Sequence, residues 1–330
     1  MDRDLPSFNN DILAYPGKST AVSPDLGIAL HVPGTPSGPD HCLTLPSIDP
    51  KDCFILRLPR IWKERHRLVL APAFLEYWLY GDLSRAKVYS PTLRNVGPEG
   101  RDLEFDLEIV QKGRIGGLIT EGVYDQHIAL MARLKTADDL MQVLLEVKKD
   151  WKLLAAELEL AKLKVGQRRL LISDLLNKSA YLKLPSVNMN DKVKVAIDYL
   201  RETSDFDTAS SLGNFKLQAV YNIDFFKKDA ATVVAEIGAF FWRLFDMYEF
   251  SRDKQLLGLW RDPASFLPIK LTNQSFLSLA DRKAKVQAAF DAAAGRPGTG
   301  LPRLLCQEFV TVTKWIPHRM QKTISIELTL

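Results

Sequence analysis

Apolar positions recur with two different periods along this chain, and the place where one gives way to the other sets the fold class. Between Asp138 and Val165 the positions Leu140, Leu144, Val147, Trp151, Leu154, Leu158, Ala161 and Val165 alternate four and three apart. That spacing holds a narrow apolar seam on one side of a helix and leaves Glu146, Lys148, Lys149, Glu157, Glu159 and Lys162 outside it. Thr136 supplies an N-terminal cap, and Asp139 sits at the positive end of the helix dipole. One long amphipathic helix is predicted, ended or bent at Gly166, with Gln167–Asn177 helical again. The seam packs against the rest of the chain or, alternatively, against a partner helix.

The C-terminal third is written in period two. Asn214–Phe226 and Ala231–Phe245 are rich in Val, Ile, Phe and Tyr and are separated by a turn-forming K-K-D, which predicts an antiparallel hairpin. Glu308–Trp315 and Thr323–Leu330 read as two further strands around a loop at Ile316–Gln321. Upstream, Asp52–Pro59 is predicted as a short edge strand and Leu103–Val110 as a half-buried one. Ile61–Tyr80 has helical spacing with Pro72 inside it, so a kink or two short helices is expected, stopping at Gly81. Tyr124–Leu134, Lys192–Arg201 and Ala280–Ala294 read as helices, and Gly295–Leu301 as a loop. The first fifty residues contain V-P-G-T-P-S-G-P-D and predict an irregular arm with a short strand at Gly27–Val32.

The expected organisation is therefore a proline-rich arm (1–50), a mainly helical region with short strands (51–185) and an antiparallel-sheet region (186–330), the last two packed as one globular unit. Helices in the middle and strands at the end predict an α+β class, not an alternating parallel one.

Charge removes some functions from this picture. Lys and Arg number 44 against 40 Asp and Glu, a net +4. The two signs are interleaved, so the clustered footprint of a nucleic-acid binder is missing and nucleic acid is not an expected partner. The most apolar windows, Leu68–Tyr80 and Val233–Phe245, are interrupted by Glu76 and by Glu236 and Arg243, so no transmembrane segment is predicted. The start, Met1-Asp2-Arg3-Asp4, lacks the layout of a cleaved secretory signal. Cys42, Cys53 and Cys306 have no C-x-x-C spacing and are expected as reduced thiols, with a Cys42–Cys53 bridge as the open alternative.

Candidate chemistry concentrates at Asp246, Tyr248 and Glu249, where the second hairpin strand empties into a polar stretch. Two carboxylates beside a phenol can divide acid and base roles or share a divalent cation, provided the three converge where the strand turns. The structural alternative is that Tyr248 and Phe250 anchor a turn while Asp246 caps local backbone. His318-Arg319, expected on the loop between the last two strands, adds an acid, base or ligand with a phosphate-compatible neighbour. Arg65-His66-Arg67 reads as a solvated helix face, and His127 has no second ligand at helical spacing. Phosphate loops, dinucleotide fingerprints, zinc-protease motifs and nucleophile elbows are absent, so no cofactor is indicated and the identity of any metal is open.

The segment I-G-A-F-F-W-R-L-F-D-M-Y-E-F-S-R-D-K-Q-L-L-G-L-W, Ile237–Trp260, resembles the G-x-Y-x-x-D-x-Y-D-F…Q-x-L-G-x-W segment of a bacterial family known as the domain of unknown function numbered 6402. S-S-L-G-N-F-K-L-Q-A-V is similar to that family's L-G-x-F strand, and A-P-A-F-L-E-Y-W-L-Y-G to its early helix. The resemblance spans Cys53 to Trp315, with its specific part at Asp205–Trp260 and with Glu249 where the family has aspartate. It implies a protein of bacterial type VI secretion loci with a part in interbacterial competition, and it supplies no reaction. The leading expectation is an antibacterial toxin-type effector, with any hydrolase activity carried by Asp246 and Glu249; the alternative, prompted by the seam over Asp138–Val165 and the missing motifs, is a non-catalytic adaptor, chaperone or immunity protein that binds an effector. The implied partners are secretion-apparatus, effector or immunity proteins. The implied location is the cytoplasm of the producing bacterium, with delivery to a target cell by a route needing no cleaved signal. The D-x-Y-E at 246–249 also resembles the D-x-Y-D of colicin-M-like lipid-precursor phosphodiesterases, although His318-Arg319 follows much later than that family's His-Arg.

Overall fold

Every one of the 11 residues of helix α2 (Leu70–Tyr80) is buried, Glu76 included, and much of the surrounding structure is built onto it. The computed structural model describes residues 12–14, 42–97, 99–111, 134–144, 151–170, 182–183, 187–188, 207–208, 210–212, 214–250, 256–262, 264, 268–294 and 301–330. The chain divides into two compact units. Unit 1 comprises Met1–Gly116, Asn188–Asn214 and Asp246–Thr311; unit 2 comprises Gly117–Val187, Phe215–Phe245 and Val312–Leu330. The class is α+β.

In unit 1, helix α1 (Pro50–His66) replaces the edge strand expected at 52–59. The start signal explains the difference: Asp49 accepts a 2.8 Å hydrogen bond from the Lys51 amide and Pro50 occupies the first turn. Pro59 is carried inside the helix. Arg67 turns left-handed (φ 55°), so the predicted Ile61–Tyr80 run splits into α1 and α2 before Pro72, which falls in the first turn of α2. The α2 N-terminus is closed from elsewhere in the chain. Buried Asp207 accepts from the amides of Val69 and Leu70 at 2.9 Å and Ala71 at 2.8 Å, satisfying donors that have no partner within the helix.

Gly81 ends α2 at φ 62°, where a Cβ would stand 2.5 Å from Leu305 Cδ1. Helix α3 (Leu83–Ala86) follows, capped by Asp82. Strands β2 (Arg94–Val96) and β3 (Asp102–Phe105) pair antiparallel, and the strand expected to reach Val110 gives way to helix α4 (Leu107–Gln111). A separate three-stranded sheet orders β1 (Ile12–Ala14), β9 (Leu256–Arg261) and β10 (Pro268–Thr272).

Helix α7 (Asn273–Ala294) begins earlier than the predicted Ala280 and turns Phe276, Leu279, Val286 and Phe290 inward against α1 and β10. Two ion pairs tie these pieces together. Arg57 reaches Asp262 at 3.1 Å with both side chains buried, and Arg282 holds Asp52 at 2.8 Å. Cys42 and Cys53 are joined by a disulfide with Cα atoms 5.4 Å apart, so the expectation of three thiols is corrected to one, Cys306. The start of α1 carries Cys53 within reach of the turn at 42–44, which spacing alone could not reveal.

Unit 2 is organised by the hairpin of β7 (Asn214–Lys227) and β8 (Thr232–Tyr248), close to its predicted limits. Asp229 makes the turn by accepting from the amides of Ala231 (2.9 Å) and Thr232 (2.8 Å). Strand β4 (Arg168–Leu170) lies on the far edge of β7, in place of the helix expected from Gln167. Strand β5 (Leu182–Lys183) and β6 (Val187–Asn188) also pair with β7. Strand β12 (Ile316–Thr329) pairs with β8, so the predicted Ile316–Gln321 loop is strand. Strand β11 (Phe309–Thr313) precedes it, and Thr313 Oγ1 accepts from the Leu244 amide at 3.0 Å.

The register of β7 against β8 shifts between Asn222 and Ile223, leaving Gly238 without a partner position. This bulge changes which parity is inside. Val233, Ala235 and Ile237 are buried before it; Trp242 and Leu244 are buried after it.

The long helix expected over Asp138–Val165 is also corrected. Described residues show α5 (Ala137–Leu144) and α6 (Trp151–Glu157), after which Glu159 is left-handed (φ 52°) and a short 3₁₀ turn covers Leu160–Lys162. Leu140, Trp151, Leu154 and Leu158 of the seam are buried, while Val165 is exposed beyond the break. Trp151 donates from Nε1 to the Thr329 carbonyl at 2.9 Å and packs against Phe225. The expected strand at 27–32, the helix at 192–201, the stretch 171–177 and nearly all of 124–134 and 295–301 lie outside the described residues. Among the described residues no helix is long and apolar enough to cross a membrane.

Candidate functional site

The last residues of β8 alternate as a strand must. Asp246 and Tyr248 are buried, whereas Met247 and Glu249 are exposed. Tyr248 belongs to an aromatic core of unit 1: its ring lies 5.1 Å from Phe309 in a stacked pair, and 5.8 Å from Phe74 and 5.6 Å from Phe250 edge-on. Burial, with a further push from the charge of Asp246, drives the Tyr248 phenol well above its usual range and holds it protonated. The Asp246 carbonyl accepts from Thr311 Oγ1 at 3.4 Å. Glu249, one residue past the end of β8, is exposed while Asp246 is buried.

His318 lies in unit 2, in the backbone register opposite Phe240, and not on a loop. The structure thus brings Asp246 and Tyr248 to one face, parts Glu249 from them and assigns His318 to the other unit. His66, expected on a solvated helix face, is buried beside the Trp260 ring at 6.2 Å, and His127 is outside the described residues. Among the described residues no three His, Cys, Asp or Glu side chains gather as a metal ion would require.

Perturbed ionisable groups gather elsewhere in unit 1, at the C-terminal end of α2. Glu76 and Tyr80 are four residues apart and share one face of the helix. Arg85, carried back by the turn at Gly81 and by α3, places Nε 2.8 Å and Nη2 2.5 Å from the same oxygen, Oε1 of Glu76. Its guanidinium carbon stands 4.5 Å from the centroid of the Tyr80 ring. The Glu76 side chain is 4% exposed and that of Arg85 is 32% exposed, so the pair runs from the interior to the surface.

Burial pushes the Glu76 carboxyl above the usual carboxylate range, and Asp82 adds to this; the charge and hydrogen bond of Arg85 oppose it without winning. The phenols of Tyr80 and Tyr89 are raised, mainly by burial and then by the charge of Glu76. The Tyr80 hydroxyl is buried with no hydrogen-bond partner among the described residues.

A strap at 304–307 closes this end of the helix. Leu305 and Cys306 donate their amides to the Leu79 carbonyl at 2.7 and 3.2 Å, and Gln307 donates to that of Trp78 at 3.0 Å. Lys283 of α7 holds the strap from the other side, Nζ to the Leu305 carbonyl at 2.6 Å. Cys306 adopts φ 47°, a left-handed conformation that costs a non-glycine residue about 1–2 kcal/mol. Its thiol is pushed up to about 12, chiefly by burial, so it is not a ready nucleophile.

In the sequence Glu76 stands out only as a break in an apolar window. The usable signal was a carboxylate four residues before a tyrosine in a run too apolar to have a wet side. No family model, no curated protein and no solved structure matches the chain.

Proposed function

We propose that this chain is a type VI secretion-associated bacterial protein that acts by binding a protein partner, an effector or a component of the secretion apparatus. The secretion context rests on the resemblance of Asp205–Trp260. The binding role rests on one observation: Asp246 is buried and Glu249 is exposed, while the phenol between them is packed into the aromatic core. The protein works in the cytoplasm of the producing cell, with delivery onward to a target cell. The test is capture of the tagged full-length chain from the native bacterium, with and without its secretion locus. Recovery of an effector or apparatus protein that disappears when the locus is deleted supports the role, and recovery of neither refutes it.

A second reading, a toxin-type effector with hydrolase activity, is favoured by the raised Glu76 carboxyl beside a phenol and an arginine. Expression in cytoplasm and in periplasm separates the two. Growth arrest by the wild type that is retained in Asp246→Asn/Glu249→Gln but lost in Glu76→Gln puts the chemistry at α2. Arrest lost in Asp246→Asn/Glu249→Gln, or in a His318→Ala variant, restores the strand-end residues to a catalytic role. Normal growth throughout removes the toxin reading.

A further inference from the structure

Arg85 commits two of its donor positions to a single oxygen of Glu76. A guanidinium carries five N–H donors in one plane, so the rest of the fork is turned away from the carboxylate, on a side chain that is 32% exposed. Beneath it lies the Tyr80 ring, whose hydroxyl is buried and has no hydrogen-bond partner among the described residues. Buried hydroxyls are almost always paired, so an unpaired one beside a partly committed arginine is a donor awaiting an acceptor. Strap and helix fix both donors in place: Cys306 is bonded to the Leu79 carbonyl, and Gly81 is pressed against Leu305.

We infer that Arg85 and Tyr80 form a binding site for a small oxyanion, a carboxylate or a phosphate-like group, with Glu76 orienting the guanidinium. The recognising chemistry is a planar fork lying over the ring of a residue whose own phenolic donor is unpaired among the described residues. The inference uses neither Asp246 nor His318, and it stands whether or not the secretion role does.

Charge gives the site a signature. Glu76 and Arg85 together are neutral, so an anion joining them leaves a partly buried net negative charge. A proton taken up by Glu76 restores neutrality, and burial already favours its protonated form. The groups that bear on Glu76 are Arg85, Asp82, Tyr80 and Tyr89, and of these only Arg85 favours the ionised carboxylate. Anion affinity therefore rises as pH falls, and binding consumes protons from the buffer.

The experiment is calorimetric titration of the full-length chain with sodium acetate and, separately, sodium sulfate, at about pH 5.5 and about pH 7.5, in two buffers of different ionisation enthalpy. Sulfate stands in for phosphate because its own charge is constant over this range. Saturable binding of at least one anion is expected, at least about threefold tighter at the lower pH and with net proton uptake. Tyr80→Phe, which removes only the hydroxyl, weakens it by about tenfold while thermal melts show an intact fold. Glu76→Gln retains binding and abolishes the pH dependence. Should Arg85→Gln fail to fold with Glu76 left buried, Glu76→Gln/Arg85→Gln provides the arginine-free protein, expected to bind neither anion. Acetate alone assigns a carboxylate, sulfate alone a tetrahedral group, and both assign their shared geometry. Absence of saturable binding, binding indifferent to Tyr80→Phe, or unchanged pH dependence in Glu76→Gln overturns the inference.

Discussion

Two stretches of unit 1 each carry a carboxylate close to a tyrosine, and they put it to opposite use. At the end of β8, Asp246, Tyr248 and Glu249 are within four residues of one another, yet Glu249, just past the strand, is exposed while Tyr248 is packed among Phe74, Phe250 and Phe309. On α2, Glu76 and Tyr80 are further apart in sequence, but a helical turn brings them to one face, where Arg85 joins both. Proximity along the chain therefore predicts convergence only when combined with the local period.

That contrast can be broken most directly at Tyr248. If its role is packing, Tyr248→Ala costs about 3–5 kcal/mol of stability, the range for deleting a buried aromatic ring, read as a lowered midpoint of chemical denaturation. A small shift with lost biological activity would return the residue to a functional site.

The next effect lies at Glu76. Its proton affinity is raised in the folded chain, so the stability that goes with the protonated form is complete below the ordinary glutamate range and is lost as pH rises through the folded value. Denaturation midpoints of the wild type relative to Glu76→Gln, which holds the uncharged form, should fall across that window. A parallel course for the two proteins would mean that Arg85 fully compensates burial.

The smallest effect is expected at Glu249, where Glu249→Gln changes stability by no more than about 0.5 kcal/mol. A larger loss would show that the exposed carboxylate is engaged after all.

The hairpin was legible because its signals are local: period two on both strands and an aspartate placed to hold the turn at Asp229. The α+β class followed from it. The bulge at Gly238 was not legible, since an extra residue declares itself only through the partner strand. Helix α1 was misread because the alternation over Asp52–Pro59 fits a fully buried helical stretch as well as a strand, and Asp49-Pro50 should have decided the matter. The supposed single long helix fails at Glu159, whose left-handed backbone no apolar spacing could announce. Of the site, Asp246 and Tyr248 share a face as a strand requires, while Arg85 reaches Glu76 only because Gly81 reverses the chain.

The Cys42–Cys53 crosslink has a practical meaning for anyone handling this molecule. It fastens the segment leading into α1 to the first turn of that helix, with both sulfurs shielded inside unit 1. Thiols of this kind stay separate in a glutathione-rich compartment and join in an oxidising one. A reductant would open this crosslink and free both sulfurs, so any melting curve or titration needs the reductant stated alongside it.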